Sequence, residues 1–177
     1  MCGRFAQTIS LAKLNRINLI DEVSGIYSVS YNVAPSHEAS IVCCIGGKCI
    51  MKPVRWGLIP SWAKEQFKGG GIINARFESV TEKPSFRNSY RYRRCLVPVS
   101  GFFEWKRDGK LKIPFFINSG KDDDEFKVIL LAGLYDSCTS PEGKNIDTFT
   151  VITTDAGGVM KTIHNRMPLI IEEKNAL

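Results

Sequence analysis

The second half of the chain is a succession of β-branched and aromatic runs. RRCLVPVSGFFEW, KIPFFINS, FKVILLAGLYDS and DTFTVITTDA follow one another, parted by turn-rich segments. Such residues fit a pleated, half-buried surface, and short runs bounded by turn formers read as strands joined by hairpins. Strands in hairpin succession, with few and short helices, predict an antiparallel α+β domain rather than a βαβ fold. Their number predicts a mainly antiparallel, strongly curved, barrel-like β-sheet flanked by short helices. At 177 residues the chain is long enough for a substantial core and short enough for one domain, 1–177. No internal repeat, low-complexity tail or composition break marks a second unit. The final EEKNAL reads as the first turn of a helix, so the domain is expected to be truncated at that end.

The first half adds local detail. After an opening strand, SLAKLNRI spaces Leu11, Leu14 and Ile17 for a helix with Ser10 as N-cap. YNVAPS reads as an irregular loop, because Pro35 biases Ala34 away from helix. ASIVCCIGGKCIMKPVRWGLI reads as a hairpin whose arms meet at Gly46-Gly47. PSWAKEQFKGGG, punctuated by Pro60 and three glycines, reads as a loop with at most one helical turn. INARFESVTEKPSF predicts a short helix near 79–86, and RNSYRYRR an exposed basic turn before the next strand. RDGK is a hairpin turn centred on Asp108-Gly109. AGGVMKTIHNRMP predicts a short helix ending before Pro168, then a strand in PLIIEE.

Composition narrows the function. A 44% hydrophobic share is that of a soluble globular protein. Apolar stretches such as VILLAGLY are far too short to span a bilayer. No charged segment precedes an apolar signal core, so the protein is expected inside the cell, in cytoplasm or nucleoid of a bacterium or nucleus of a eukaryote. The net charge is +6, and four of the 18 acidic residues sit in DDDE at 122–125. A basic body with one acidic loop points to a polyanionic partner, most simply nucleic acid. The six cysteines include no C-x-x-C pair, and the histidines are His37 and His164. No zinc site or other metal is therefore expected, and no cofactor. Cys43, Cys44, Cys49 and Cys95 lie in strand-like apolar runs, where a free thiol packs as a small hydrophobe. A disulfide framework is not expected in an intracellular chain of this length.

Cys2 stands apart, since it follows Met1 directly, where no core is expected to hold it. Removal of an initiator methionine needs a small second residue, and cysteine is small enough. The product would carry a free α-amine beside a free thiol, a pair selective for aldehydes. The plainer alternative is a small apolar residue on a first strand. Other polar residues stand where a core does not explain them: Asn74 and Arg76 in IINARFES, Glu104 in GFFEWK, His164 and Arg166 in TIHNRMP. Glu104 reads equally as a solvated strand residue, and His164 as a helix-end cap.

Together with the amino terminus, these residues carry a resemblance. MCGRFAQ, YNVAP, RWGLIPSW, INARFES, GFFEWK and IHNRMP occur in the order seen in the SOS-response-associated peptidase (SRAP) family of abasic-site processing proteins, over nearly the whole chain. The resemblance implies an abasic-site sensor that binds single-stranded DNA and forms a thiazolidine crosslink through Cys2 once Met1 is removed, protecting the site in the DNA damage response. It implies that Asn74 holds the sugar and nascent adduct, that Glu104 accepts the proton of the Cys2 amine, and that His164 promotes opening of the deoxyribose ring. It further implies Arg4, Arg76 and Arg166 as phosphate ligands, and Trp62, with Trp105 and Phe103, as apolar surfaces beside the bases. A monomer acting on abasic single-stranded DNA, without membrane or metal, is expected. Two rival readings remain: a thiol (auto)peptidase built on Cys2, with the family's hydrolase and lyase-like activities, and a non-covalent reader of modified cytosine.

Overall fold

The computed structural model describes residues 2–63, 70–122, 124–139 and 143–176. Strand β1 (Arg4–Gln7) leads to helix α1 (Leu11–Arg16), β2 (Glu22–Val23), β3 (Ser30–Val33), β4 (Glu38–Ile45), β5 (Lys48–Trp56) and β6 (Asn74–Arg76). Helix α2 (Pro84–Tyr92) precedes β7 (Arg94–Val99), β8 (Gly101–Asp108), β9 (Leu111–Ile117), β10 (Lys121–Asp122) and β11 (Glu125–Phe126). The long strands β12 (Ile129–Thr139) and β13 (Asn145–Asp155) follow, then the short β14 (Arg166–Pro168) and β15 (Ile170–Ile171). No helix among the described residues is long and apolar enough to cross a membrane.

The curved sheet is a closed barrel. Antiparallel pairs run β13–β12–β7–β4–β5. β5 then meets β13 in parallel, with Arg55 opposite Thr148 and Trp56 opposite Phe149. Closure leaves these five strands no free edge. Strand alternation sends one set of side chains inward, where Ile41, Cys43, Val54, Trp56, Cys95, Val97, Leu131, Phe149 and Val151 form the main buried cluster. A second sheet, ordered β3–β1–β8–β9, adds Phe5, Val33 and Phe102 to that cluster. The outward set is covered by helices: Leu14 of α1 packs with Val42, Met51 and Leu130, and Phe86 of α2 with Ala132, Leu134 and Ile152.

Several local expectations hold. Ser10 caps α1, its hydroxyl accepting from the Lys13 N–H at 3.2 Å. The β4–β5 hairpin turns at Gly46-Gly47, both in the left-handed region at φ +59° and +80°, as a two-residue turn that continues the strand twist requires.

Others change. YNVAPS is not all loop: Val33 pairs with Phe5, so residues up to Val33 are strand and only the segment after it turns. Residues 77–79 form a single 3-10 turn, and the α-helix starts only at Pro84 and runs through RNSYRY. Proline fits a first helical position, where its missing N–H has no partner to lose, and burial of Phe86 on the barrel wall fixes the helix. The RDGK turn is shifted by one residue, with Asp108 paired to Leu111 and Gly109-Lys110 as its tip. The helix expected in AGGVMKTIHNRMP is a 3-10 segment, Gly158–Thr162. Cys44 and Cys49 are not free, since the two-residue turn sets them directly opposite and a disulfide joins them. The middle of the PSWAKEQFKGGG loop, 64–69, lies outside the described residues.

The neck of that loop is tightly built. Leu58 and Ile72 bridge, and a Cβ on Gly57 would stand 2.0 Å from the Gly70 carbonyl oxygen, one on Gly71 2.2 Å from that of Gly57. Both glycines also have positive φ, so no other residue fits either place. The Trp56 indole N–H donates to the Ile73 carbonyl at 2.9 Å, which delivers Asn74 to the barrel.

Candidate functional site

Cys2 is fully buried, contrary to the expectation that no core would hold it. It packs in the cluster of Phe5, Trp56, Phe102 and Phe149, because it directly precedes β1, a strand of the second sheet whose inner face packs on the barrel cluster. Phe5 and Trp56 stack with ring centroids 4.8 Å apart. The Cys2 carbonyl accepts from the Asn74 side-chain amide at 2.8 Å. Asn74 is held opposite Val151 by the parallel β6–β13 pairing. Burial first, and the Glu104 carboxylate second, push the Cys2 thiol up to about 12. Met1 lies outside the described residues.

Glu104 is 2% exposed. β8 pairs with β1 so that Phe103 opposes Arg4 and Phe102 opposes Phe5. Alternation then places Glu104 on the inward face with Phe102, and Phe103 and Trp105 on the other. Phe103 packs against Phe116 at 4.8 Å, and Trp105 opposes Pro114. Arg4 shares the outer face with Phe103, its guanidinium donating to Asn32 at 2.9 Å.

His164 follows the 3-10 segment, and its neighbours Met160 and Ile163 pack in the cluster that holds Cys2. Its Nδ1 accepts the Arg166 backbone N–H at 2.9 Å, so the neutral ring carries its proton on Nε2. Arg166 is placed differently from the expected phosphate ligand. It is 8% exposed, and its guanidinium donates to Glu78 at 2.8 and 3.0 Å, to Asp155 at 2.7 Å and to the Thr153 carbonyl at 2.6 Å. Those Arg166 hydrogen bonds hold the Glu78 carboxyl down to about 2. Arg76 is exposed at the end of β6, and Trp62 is 60% exposed.

The structure thus gathers Cys2, Asn74 and Glu104 at one end of the core, with the His164 segment packed on the same cluster. Arg4, Phe103 and Trp105 lie on another face, and Arg166 is a buried strut. Sequence reasoning missed Glu78, Asp155 and Thr153, which anchor Arg166, and Trp56, which bridges Phe5 to Ile73. The signal for Glu78 and Trp56 was present, since both lie inside quoted motifs.

Comparison with known proteins identifies the family. The family model described as SOS response associated peptidase (SRAP) matches residues 1–177. Abasic site processing protein YoqW of Bacillus subtilis (strain 168) is 40% identical over 178 residues, covering 99% of this chain and 78% of that protein. Abasic site processing protein HMCES of Gallus gallus is 29% identical over 218 residues, covering the whole of this chain and 64% of that one. Among solved structures, a protein from Bacteroides thetaiotaomicron superposes with a TM-score of 0.83 at 27% identity, over 99% of this chain and 79% of the other. With one family model spanning its length and relatives this similar, the chain belongs to the SOS response associated peptidase family.

Proposed function

We propose that this protein processes abasic sites in the DNA damage response: it binds single-stranded DNA and, after loss of Met1, joins covalently to the abasic sugar through Cys2. The observation that carries the reading is the seating of Cys2, buried with its carbonyl held by Asn74 and the Glu104 carboxylate within electrostatic reach. Relatives at 40% identity are named as abasic site processing proteins.

The chemistry follows from the groups at hand. A free α-amine has a pKa of about 7.7–8.0, well below that of lysine, so a useful fraction is unprotonated at neutral pH, and Glu104 takes the proton from the rest. The His164 Nε2–H donates toward the ring oxygen of the closed sugar, which opens to the aldehyde at C1′. The amine nitrogen attacks C1′ and the carbonyl oxygen leaves as water, giving an imine. The thiol then adds across the C=N bond: sulfur binds C1′, its proton passes to nitrogen, and a five-membered thiazolidine closes. One water is lost overall, and the strand stays intact. Asn74 fixes the Cys2 carbonyl, and with it the direction of the amine. The Arg166 backbone N–H fixes the His164 ring, with the guanidinium network holding Arg166 in turn. Arg4 and Arg76 take phosphates, and Trp62 offers a surface to a base.

The high thiol pKa separates this reading from a thiol peptidase, whose nucleophile is a thiolate stabilised well below the ordinary range. A thiol that burial pushes up holds its proton at neutral pH and can pass it to nitrogen as the ring closes. The test is the intact mass after incubation with an abasic single-stranded oligonucleotide. The expected species is the protein without Met1, plus the oligonucleotide, less one water, and absent with undamaged DNA. An active preparation that retains Met1 overturns the proposal.

A further inference from the structure

Helix α2 and its flanks carry a row of cations, most of which no acidic side chain answers among the described residues. The segment Lys83–Arg94 contains Lys83, Arg87, Arg91, Arg93 and Arg94, and no acidic residue. Arg93 is paired with Asp136. Lys83, Arg87, Arg91 and Arg94 are exposed and have no acidic partner among the described residues. By contrast, Lys52 is matched with Asp147, and Arg166 with Glu78 and Asp155.

The helix is held by its inner face, where Phe86 packs on Leu134 and Ile152. That leaves Arg87, Asn88, Arg91 and Tyr92 to line a surface groove of about 370 Å³. Arg87 and Arg91 are one turn apart, so their charges repel along the helix face unless a counter-anion lies between or beside them. Tyr92, 74% exposed, puts a flat ring beside the charges. Alternating phosphates and planar bases suit guanidinium and phenol together, whereas an acidic peptide has no use for the exposed ring. This wall is the outside of the barrel, while Cys2 belongs to the inner cluster.

We infer that the outer face of α2 is a second nucleic-acid contact, distinct from the Cys2 site, which holds the backbone of single-stranded DNA flanking the lesion while Tyr92 stacks on a base. The inference rests on the proposed function for the identity of the strand. Through this contact the protein holds the flanking strand whether or not the covalent bond has formed.

The test measures binding of the full chain to single-stranded oligonucleotides of about 8 and about 30 nucleotides, spanning the usual range of small single-strand sites and beyond. Each carries a central tetrahydrofuran abasic analogue, which has no aldehyde and cannot crosslink. Arg87→Glu with Arg91→Glu, and the milder Arg87→Gln with Arg91→Gln, are compared with the parent, folding being checked by thermal melting. Two lost phosphate contacts should flatten the dependence of log affinity on log salt by about 1.4 and weaken the long oligonucleotide on the order of tenfold at low salt. The short oligonucleotide should bind both variants as it binds the parent. Tyr92→Ala should weaken the long one with the salt slope unchanged. Unchanged affinity for the long DNA overturns the inference, as does an equal loss on both lengths, which would place α2 in the lesion site itself. Displacement of DNA by polyglutamate as readily as by polydeoxythymidylate of equal charge also overturns it, since the surface would then serve acidic polypeptides. Crosslinking is scored separately on a true abasic oligonucleotide, so a parent that never crosslinks but shows the length-dependent loss refutes the Cys2 chemistry and leaves the α2 contact standing.

Discussion

Cys2 and Cys95 are both buried thiols, and both are pushed above the ordinary range chiefly by burial. Each faces the same inner cluster of the barrel, one from the start of the chain and one from β7. Both are small, buried side chains that hold their protons, although only Cys2 has Asn74 and Glu104 beside it. The difference is covalent. The Cys95 nitrogen is an amide in a strand, bonded on both sides to the chain, whereas loss of Met1 frees the Cys2 nitrogen as an amine. In the proposed reaction the amine opens and the thiol closes, so reactivity depends on chain position rather than on thiol activation.

The sharpest way to break this comparison is to exchange the roles. Cys2→Ala should abolish the adduct that survives denaturation, leaving only an imine trapped by borohydride, while Cys95→Ala should form the adduct at the parental level. An added residue ahead of Cys2 should be as damaging as Cys2→Ala although the thiol remains. Denaturing gels with and without reductant read all three, and loss of the adduct in Cys95→Ala would end the distinction.

A smaller effect is expected from the group that opens the sugar. General acid–base help contributes ~10²–10⁴-fold, so His164→Ala should slow single-turnover crosslinking by that order, with DNA affinity near the parent's. Glu104→Gln should slow it less, since bulk base can still deprotonate the amine. A parental rate for His164→Ala at every pH would leave His164 a structural cap.

Both thiols should resist alkylation in the folded state. With Cys2 raised from about 9 to about 12, its thiolate fraction near neutrality falls about 10³-fold, and iodoacetamide labelling should slow accordingly. The same shift has a stability consequence. The folded form keeps a proton that the unfolded form releases above pH 9, so this contribution is complete below that value and lost as pH rises toward about 12. Tyr27 and Tyr135, raised from 10 to about 12, act in the same direction. Melting temperature should therefore fall progressively above pH 9, and less steeply in Cys2→Ala. Rapid labelling of Cys2 at neutral pH would instead favour a thiolate nucleophile.

The mildest prediction concerns Arg76, exposed at the end of β6. Arg76→Ala should reduce the salt slope for single-stranded DNA by about 0.7, one phosphate, with a modest loss of affinity. An unchanged slope would remove Arg76 from the phosphate contacts.

Where local rules decide the structure, the sequence is legible. Ser10 announces α1, Gly46-Gly47 the hairpin, and β-branched runs the long strands. The same hairpin register brings Cys44 to Cys49, a consequence readable from the two-residue turn and obscured by treating each cysteine as an apolar side chain. Helix α2 is hidden because its buried face amounts to Phe86 and Ser89, too little to give RNSYRYRR an apolar period. Strand β3 is masked by the proline just beyond it. At the site, residue types in motifs point to Cys2, Asn74, Glu104 and His164, but burial does not show in a motif. The acids that bury Arg166 lie 88 and 11 residues away in sequence; the pairing of β14 with β13 brings Asp155, and that of β6 with β13 brings Glu78.

The burial of Cys2 also sets an order of events during synthesis. Cys2 leaves the ribosome first, yet the chain that encloses it is made later: Asn74 lies 72 residues on, and the barrel seam needs Phe149. At typical synthesis rates of about 5–20 residues per second, the terminus stays uncovered for roughly seven to thirty seconds before that seam can form. In the proposed reaction, methionine removal belongs to that interval. An aminopeptidase that arrives after closure finds Cys2 already buried, so on the proposed reaction the speed of translation, as well as the sequence at position 2, governs how much of the protein matures.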